Sequence, residues 1–190
     1  PPNFGSVTKA HIELPQLTDD QVSTIETLNL FILSQNSGGQ LDYAGIGLKN
    51  NIKTYLSQFR VIGDNIEIRD AFIINIAIDF EIIVLPEFNN NQVLIDCVTS
   101  LKSHFEINKW QINQPIFIRD LYVKLDRVKG VQTVKDINVI NKSGTTSGYS
   151  AYAYDIPFAT QNKVIYPSLD PSIFEIKYPN SDIKGRVVPL

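Results

Sequence analysis

The sequence predicts an α+β fold of two small helix-on-sheet modules and a C-terminal segment that is extended and rich in short strands. Three observations predict it. From Phe72 to Val84 every even position is apolar, which is the period of a half-buried strand. Other stretches repeat their apolar residues every three to four positions, as amphipathic helices do. After Ile140 the composition shifts to Tyr and Pro interspersed with short β-prone runs. Residues 1–70, 71–140 and 141–190 are therefore expected to form the two modules and the C-terminal segment.

The first module is predicted to contain strands on both sides of one helix. Its first strand, Val7 to Leu14, alternates so that Ala10, Ile12 and Leu14 are expected to face the core. The stretch LNLFILS supplies a second strand, followed by a turn at NSGG. A helix within residues 43–59 is expected to use one face for Leu48, Ile52, Tyr55, Leu56 and Phe59. Residues 66–68 begin the next strand.

The second module begins with the strand from Phe72 to Val84. At 13 residues it is longer than a typical strand of about 5 to 6, so it either runs past one sheet or bends at a bulge. Asn89 is a candidate N-cap for a helix that reaches about Glu106. A second helix follows Pro115, ends near Gly130 and leads into a strand over residues 131–140.

Composition and charge exclude several classes of partner. The net charge of -3 and the absence of a long basic run argue against nucleic acid and a charged membrane surface as partners. No stretch is long and apolar enough to predict a membrane span. The single cysteine, Cys97, excludes an internal disulfide and favours a cytosolic origin. Because the chain starts with Pro and has no Met, we expect a C-terminal piece of a longer protein.

Residues with chemical potential are few, and their spacing predicts no enzyme, cofactor or metal site. His11 and His104 are expected to be solvated surface residues without ligand spacing. Cys97 falls on an apolar helix face and is expected to be a buried thiol. Asp79 and Glu81 share one strand face and predict a solvated or partner-facing stripe; the alternative is a hydrolase that uses both carboxylates.

The C-terminal segment is the predicted interaction region, because Tyr-rich extended segments with Pro bury against partners. The candidate interface residues are Tyr149, Tyr152, Tyr154, Phe158, Tyr166, Phe174 and Tyr178. Two runs, FEIKY and KGRVV, are expected to be edge strands or arms that can extend a partner's sheet. Deleting residues 149–188 is expected to leave a folded core, and Trp110 is expected to pack between the modules. The tyrosines leave open a carbohydrate- or receptor-binding module as an alternative.

Nearly the whole chain resembles the C-terminal region of baseplate wedge proteins of T-even-type bacteriophages. The resemblance lies in KNNIKTYLSQFR, RDAFIINIAIDFEIIVLP and, most specifically, NKWQINQPI and YPSLDPSIFEIKYPNSDIKGRV. More distantly, the strand-helix-helix-strand arrangement is similar to J-like baseplate proteins of other contractile injection machines. The resemblance implies a virion protein, assembled in the bacterial cytoplasm, without a catalytic residue. It also implies a homodimer or higher assembly that binds other wedge subunits to form the ring around the hub, which triggers sheath contraction.

Overall fold

The computed structural model describes residues 6–13, 27–59 and 65–189. These residues form the predicted α+β fold, with eleven strands in three sheets and five α-helices. The chain divides into two compact units, Pro1–Phe72 and Ile73–Leu190. The elements before residue 72 are β1 (Lys9–Glu13), β2 (Thr27–Gln35), β3 (Leu41–Asp42), α1 (Ile46–Ser57) and β4 (Asn65–Asp70).

The later elements follow in chain order. They are β5 (Phe72–Val84), α2 (Asn90–His104), β6 (Ile116–Phe117), α3 (Ile118–Asp126), β7 (Val131–Asn141), α4 (Ile156–Ala159), β8 (Thr160–Gln161), β9 (Val164–Ile165), β10 (Ser172–Glu175), α5 (Pro179–Asp182) and β11 (Ile183–Val187).

In the first unit, β2 is the central strand of the sheet. Leu30 pairs with Ile12 in the antiparallel β1 and with Ile68 in the parallel β4, so these two strands lie on opposite edges of β2. Helix α1 covers this sheet with three half-buried residues, Leu48, Ile52 and Leu56, which pack against a core of Leu30, Ile32 and Ala44. The predicted helix face is therefore confirmed for these three residues.

The same prediction is wrong for Tyr55 and Phe59. Both are exposed, at 61% and 68%, and their rings contact each other at 5.2 Å on the outside of the unit. Tyr55 lies at the margin of the apolar stripe, and Phe59 lies beyond the end of α1 at Ser57.

The predicted faces of β1 are also reversed. Lys9 is only 6% exposed, because it lies opposite the fully buried Leu33, whereas Ile12 is 58% exposed. Ala10 and Ile12 do share the face that α1 covers, but the helix packs on β2 and β4 and leaves the β1 edge open. Burial lowers the pKa of the Lys9 ammonium. Leu14, the third residue of the predicted face, lies outside the described residues.

In the second unit, β5 organises the main sheet. Ile78 pairs with Val139 of the antiparallel β7 and with Ile183 of the parallel β11, so these strands flank β5 on opposite edges. β10 pairs with β5 as well. The register with β7 shifts at Glu81/Ile82 and at Ile83/Val84, so the long strand does contain the predicted irregularity.

The core of this unit lies between the sheet and two helices. Helix α2 packs on β11, α3 packs on β7, and the two helices contact each other. The even-numbered residues of β5 from 74 to 82 are all at most 2% exposed. The Asn89 side chain caps α2 by accepting from the backbone N–H groups of Asn91 and Gln92. Gly130 follows α3 at φ +96°, where a Cβ would clash with Phe88 and Val93, so glycine is required there.

Trp110 and His104 form part of this unit's core. The Trp110 indole stacks on Phe105 with ring centroids 5.0 Å apart, and its Nε1 donates to the backbone carbonyl of His104 at 3.0 Å. His104 lies edge-on to both rings and is half-buried, so its predicted solvated position is wrong. All these contacts of Trp110 are made within the second unit.

Candidate interaction surface

A buried asparagine anchors the C-terminal segment to β5. Asn75 is completely buried; its Nδ2 donates to Glu175 Oε2 at 2.8 Å, and its Oδ1 accepts from the Ser150 backbone at 2.7 Å. Its backbone carbonyl accepts from Lys142 N at 2.8 Å and Asn141 Nδ2 at 3.0 Å. One residue of β5 therefore holds both the start of the segment and β10.

A second contact within the segment is centred on Asp182. This carboxylate is 2% exposed; it accepts from the Tyr149 hydroxyl at 2.6 Å and from the Tyr178 backbone N–H at 2.9 Å. Burial, together with the carboxylate, raises the pKa of Tyr149 to about 12. The Tyr149 and Tyr178 rings meet edge to face at 5.4 Å. Both tyrosines thus make intramolecular contacts that hold the segment in place.

Four more predicted interface residues also contact one another inside the unit. The Tyr154 hydroxyl donates to the Tyr166 carbonyl at 2.7 Å, while its ring lies 6.3 Å from Tyr152 and 6.2 Å from Phe174. Phe174 is 1% exposed and belongs to β10, all four of whose residues are buried. In this fold the Phe174 ring is an interior residue, which a partner does not reach.

The C-terminal segment as a whole is integral to the second unit. It supplies β10 and β11 to the main sheet, so deleting residues 149–188 would remove two strands that pair with β5. The expectation that a folded core survives this deletion is corrected on that ground. KGRVV does form an edge strand, whereas FEIKY contributes to the buried strand β10.

Phe158 and Tyr166 are the predicted interface residues that the fold presents most openly, at 86% and 48% exposure. They lie beside the small sheet β6-β9-β8, in which Phe117 pairs with Val164 and the Tyr166 backbone N–H donates to Ala159. By strand alternation Phe117 shares the outward face with Tyr166. Leu169, three residues after Tyr166 in the chain, is fully exposed, and we group these four exposed apolar side chains under the name apolar patch: Phe117, Phe158, Tyr166 and Leu169.

Sequence reasoning missed two members of the apolar patch. Phe117 directly precedes the predicted helix and was not assigned to a strand. In the structure it belongs to the short strand β6, in which Ile116 is buried and Phe117 is exposed. Leu169 lies among turn-forming residues in the stretch YPSLDP, where an isolated apolar side chain has no strand or helix to bury it.

The main sheet also exposes a charged surface, which we call the polar face: Asp79 and Glu81 of β5, Asp136 and Asn138 of β7, and Lys184 and Arg186 of β11. Strand pairing arranges them in two rows, Asp136–Glu81–Arg186 and Asn138–Asp79–Lys184. The Arg186 guanidinium binds the Glu81 carboxylate, with Nε at 3.0 Å. Glu81 is thus engaged by a cation next to it.

The remaining reactive side chains are held in ordinary structural contacts. Cys97 is completely buried, and burial, followed by the nearby Asp96, raises its pKa to about 12. His11 lies 3.3 Å from the Glu13 carboxylate. Within residues 6–13, 27–59 and 65–189, no three His, Cys, Asp or Glu side chains are grouped as a metal site requires. In the same ranges, no helix combines the length and apolarity needed to cross a membrane.

Comparison with known proteins gives a likeness in fold to a solved structure. No protein-family model matches the chain, and no curated protein matches its sequence. The fold is similar to that of a chain in the cryo-EM structure of the anti-feeding prophage (AFP) baseplate, 6-fold symmetrised, with a TM-score of 0.53 and 9% sequence identity. The similarity covers 86% of this chain and 33% of that one, so this chain spans about a third of the matched chain's length. The expected likeness to contractile-machine baseplate proteins is confirmed at the level of fold.

Proposed function

We propose that this chain is a structural subunit of a contractile-tail baseplate wedge, which associates with itself and with other wedge subunits to form the ring around the hub. The observation that carries the proposal is the fold similarity to a baseplate chain over 86% of the residues. The resemblance of the sequence to T-even-type wedge proteins supports the wedge assignment. In this role the chain belongs to the tail baseplate of a virion and is assembled in the host cytoplasm.

The chain is proposed to act through surfaces, without an enzymatic step or a cofactor. Two surfaces support this role: the apolar patch and the polar face. Exposed aromatic side chains supply large contact areas, and a few such anchors often dominate binding energy. A standard interface covers roughly 800 Å² on each partner, of which the apolar patch would form the dry centre.

Self-association through the apolar patch is tested with point substitutions that leave the fold intact. Phe158 and Tyr166 are exposed, so Phe158→Ser combined with Tyr166→Ser should preserve the circular dichroism spectrum and weaken self-association at least about tenfold. Light scattering after size-exclusion chromatography gives the mass across a concentration series. Tyr55→Ser with Phe59→Ser is a matched control, because it removes an equally exposed aromatic pair from the first unit. A purified chain that stays monomeric at high concentration, or equal loss from both double variants, argues against this use of the patch.

The baseplate role itself is tested by assembly. The tagged chain should be incorporated into purified tail particles and appear at the baseplate by immuno-electron microscopy. Its absence from particles that contract normally would contradict the proposal, whatever the oligomeric state of the isolated chain.

A further inference from the structure

β11 has one side that no described strand uses. Val188 N donates to Ile82 O at 2.9 Å, which fixes the alternation of backbone groups along β11. Backbone groups two residues apart on a strand point to the same edge. Because the Val188 N–H points toward β5, the N–H groups of Arg186 and Lys184 also point toward β5. The backbone groups of Gly185 and Val187 therefore point away from β5, along the outer edge of the sheet.

The side chains next to this edge carry positive charge. Lys184 and Arg186 are exposed on the polar face, and each ends a row of three paired residues. In both rows the residues on β7 and β5 are acidic or neutral, and the residue on β11 is basic. Arg186 contacts Glu81 on its inner side. Any strand added outside β11 would place its own side chains directly beside Lys184 and Arg186.

The opposite face of β11 is apolar and favours apolar neighbours. Ile183 is 4% exposed and Val187 is half-buried, and α2 packs on this side of the strand. An added strand would therefore present apolar side chains on that face and polar ones on the other. The two requirements together describe a strand in which acidic and apolar residues alternate.

We propose that the outer edge of β11 binds a strand of alternating acidic and apolar residues from a different subunit, which extends the main sheet by backbone hydrogen bonds. This inference deepens the proposed structural role and rests on it for the identity of the partner as another baseplate subunit. Charge complementarity selects the acidic side chains, and the two-residue repeat of the strand sets their spacing.

A second copy of β11 is disfavoured as the occupant by its own charges. In a symmetric antiparallel pair of two β11 strands, the backbone groups that point outward must hydrogen-bond to each other. Three registers centred on residues 184, 185 or 186 meet this condition. They place Lys184 opposite Arg186, Lys184 opposite Lys184, or Arg186 opposite Arg186. Every register sets like charges directly across from each other, an arrangement that disfavours edge-to-edge pairing.

The primary test uses a designed ten-residue peptide of alternating Val and Glu, with N-methyl groups along one edge so that it pairs on one side only. Hydrogen exchange of the whole chain is measured by NMR with and without the peptide. The amide hydrogens of Gly185 and Val187 should exchange at least tenfold more slowly when it is bound. The same peptide with Lys in place of Glu should give no protection. Equal protection by both peptides, or by neither, would overturn the inference.

Charge reversal at Lys184 gives an independent result. Lys184→Glu, at an exposed position, should weaken binding of the Glu peptide at least tenfold and allow the Lys peptide to protect Gly185. It should also make β11 self-complementary, because the variant side chain now lies opposite Arg186 in the register centred on Gly185. Protection of Gly185 should then rise with protein concentration. Lys135→Glu, an equally exposed reversal on β7, serves as the matched control and should change neither property.

The peptide experiment and the assembly experiment test the two proposals independently. Loss of peptide binding with normal incorporation into tail particles would remove the strand-binding inference and leave the structural role intact. Selective peptide binding without incorporation would leave β11 as an acidic-strand acceptor outside a baseplate.

Discussion

The side-chain amide of Asn75 in β5 donates a 2.8 Å hydrogen bond to the carboxylate of Glu175 in β10, a residue 100 positions later in the chain. Both side chains are buried, where an amide without partners would be costly. This contact, with the Ser150 backbone on the other side of the same amide, makes the C-terminal segment a part of the sheet.

Replacing Asn75 with Ala is expected to destabilise the second unit by about 3 kcal/mol, because Glu175 loses a buried donor and the Ser150 N–H loses its acceptor. Urea denaturation gives the free energy, and hydrogen exchange at Ser150 reports the local loosening. Asn138→Ala, an exposed amide on β7, should cost no more than about 0.5 kcal/mol. Equal costs for the two variants would show that Asn75 is not the anchor.

Any side chain at position 185 is predicted to destabilise the fold, because the Cα of Gly185 faces the ring of Phe80 and a Cβ would overlap the ring atoms. Gly185→Ala should therefore destabilise the fold by about 1–3 kcal/mol through overpacking. Adding Phe80→Leu should make the double variant more stable than the sum of the single effects predicts, as measured in a double-mutant cycle.

The control for this cycle is Gly47→Ala. Gly47 lies in α1, and a Cβ added there would meet nothing within 4 Å, so alanine should stabilise the first unit by about 0.4–1 kcal/mol. If Gly185→Ala leaves the free energy of unfolding unchanged, or if its effect and that of Phe80→Leu simply add, the contact with the Phe80 ring does not cause the destabilisation.

Local patterning accounts for the elements that sequence reasoning located well. The bounds of the alternating stretch, Phe72 to Val84, are those of β5, and Asn89 caps α2 as its position before the helix predicted. Such signals depend only on neighbours along the chain, so one sequence is enough to identify them.

Burial of the polar and aromatic residues was less predictable, because it depends on partners far along the chain. Lys9 is buried through its pairing with Leu33, and Phe174 enters the core because β10 joins β5. The Tyr- and Pro-rich composition predicted a surface segment, yet the pairing of β11 with β5 depends on residues about 100 positions apart. No local period encodes such a contact.

Cys97 is expected to resist thiol reagents while the second unit is folded. Its side chain is completely buried, so a reagent cannot reach it, and its pKa is raised to about 12, so almost none of it is the reactive thiolate near neutral pH. With a disulfide reagent at pH 8, labelling should be slower than that of an exposed thiol by on the order of 100-fold or more, since it requires opening of the unit. Ile95→Cys in a Cys97→Ala background gives the exposed reference on the same helix. Similar rates at the two positions would contradict the buried placement.

His104 is expected to make stability depend on pH below neutrality. Burial beside Phe105 and Trp110, and then the charge of Lys124, lowers its pKa from the ordinary value of 6.5. The unfolded chain therefore binds the proton more tightly than the folded chain does. The stability that neutral His104 contributes is complete above pH 6.5 and is lost as the pH falls through the folded-state pKa.

Denaturation of the wild type and of His104→Gln between pH 5 and 7.5 measures this linkage. The wild type should lose stability more steeply on acidification than the variant, and the difference between the two curves isolates His104 from other titrating groups. Lys124→Gln removes an exposed neighbouring charge and should raise the His104 pKa without disturbing the ring contacts. NMR titration of the imidazole gives the pKa directly. A His104 that titrates at or above 6.5 in the folded chain would exclude a desolvated imidazole beside Trp110.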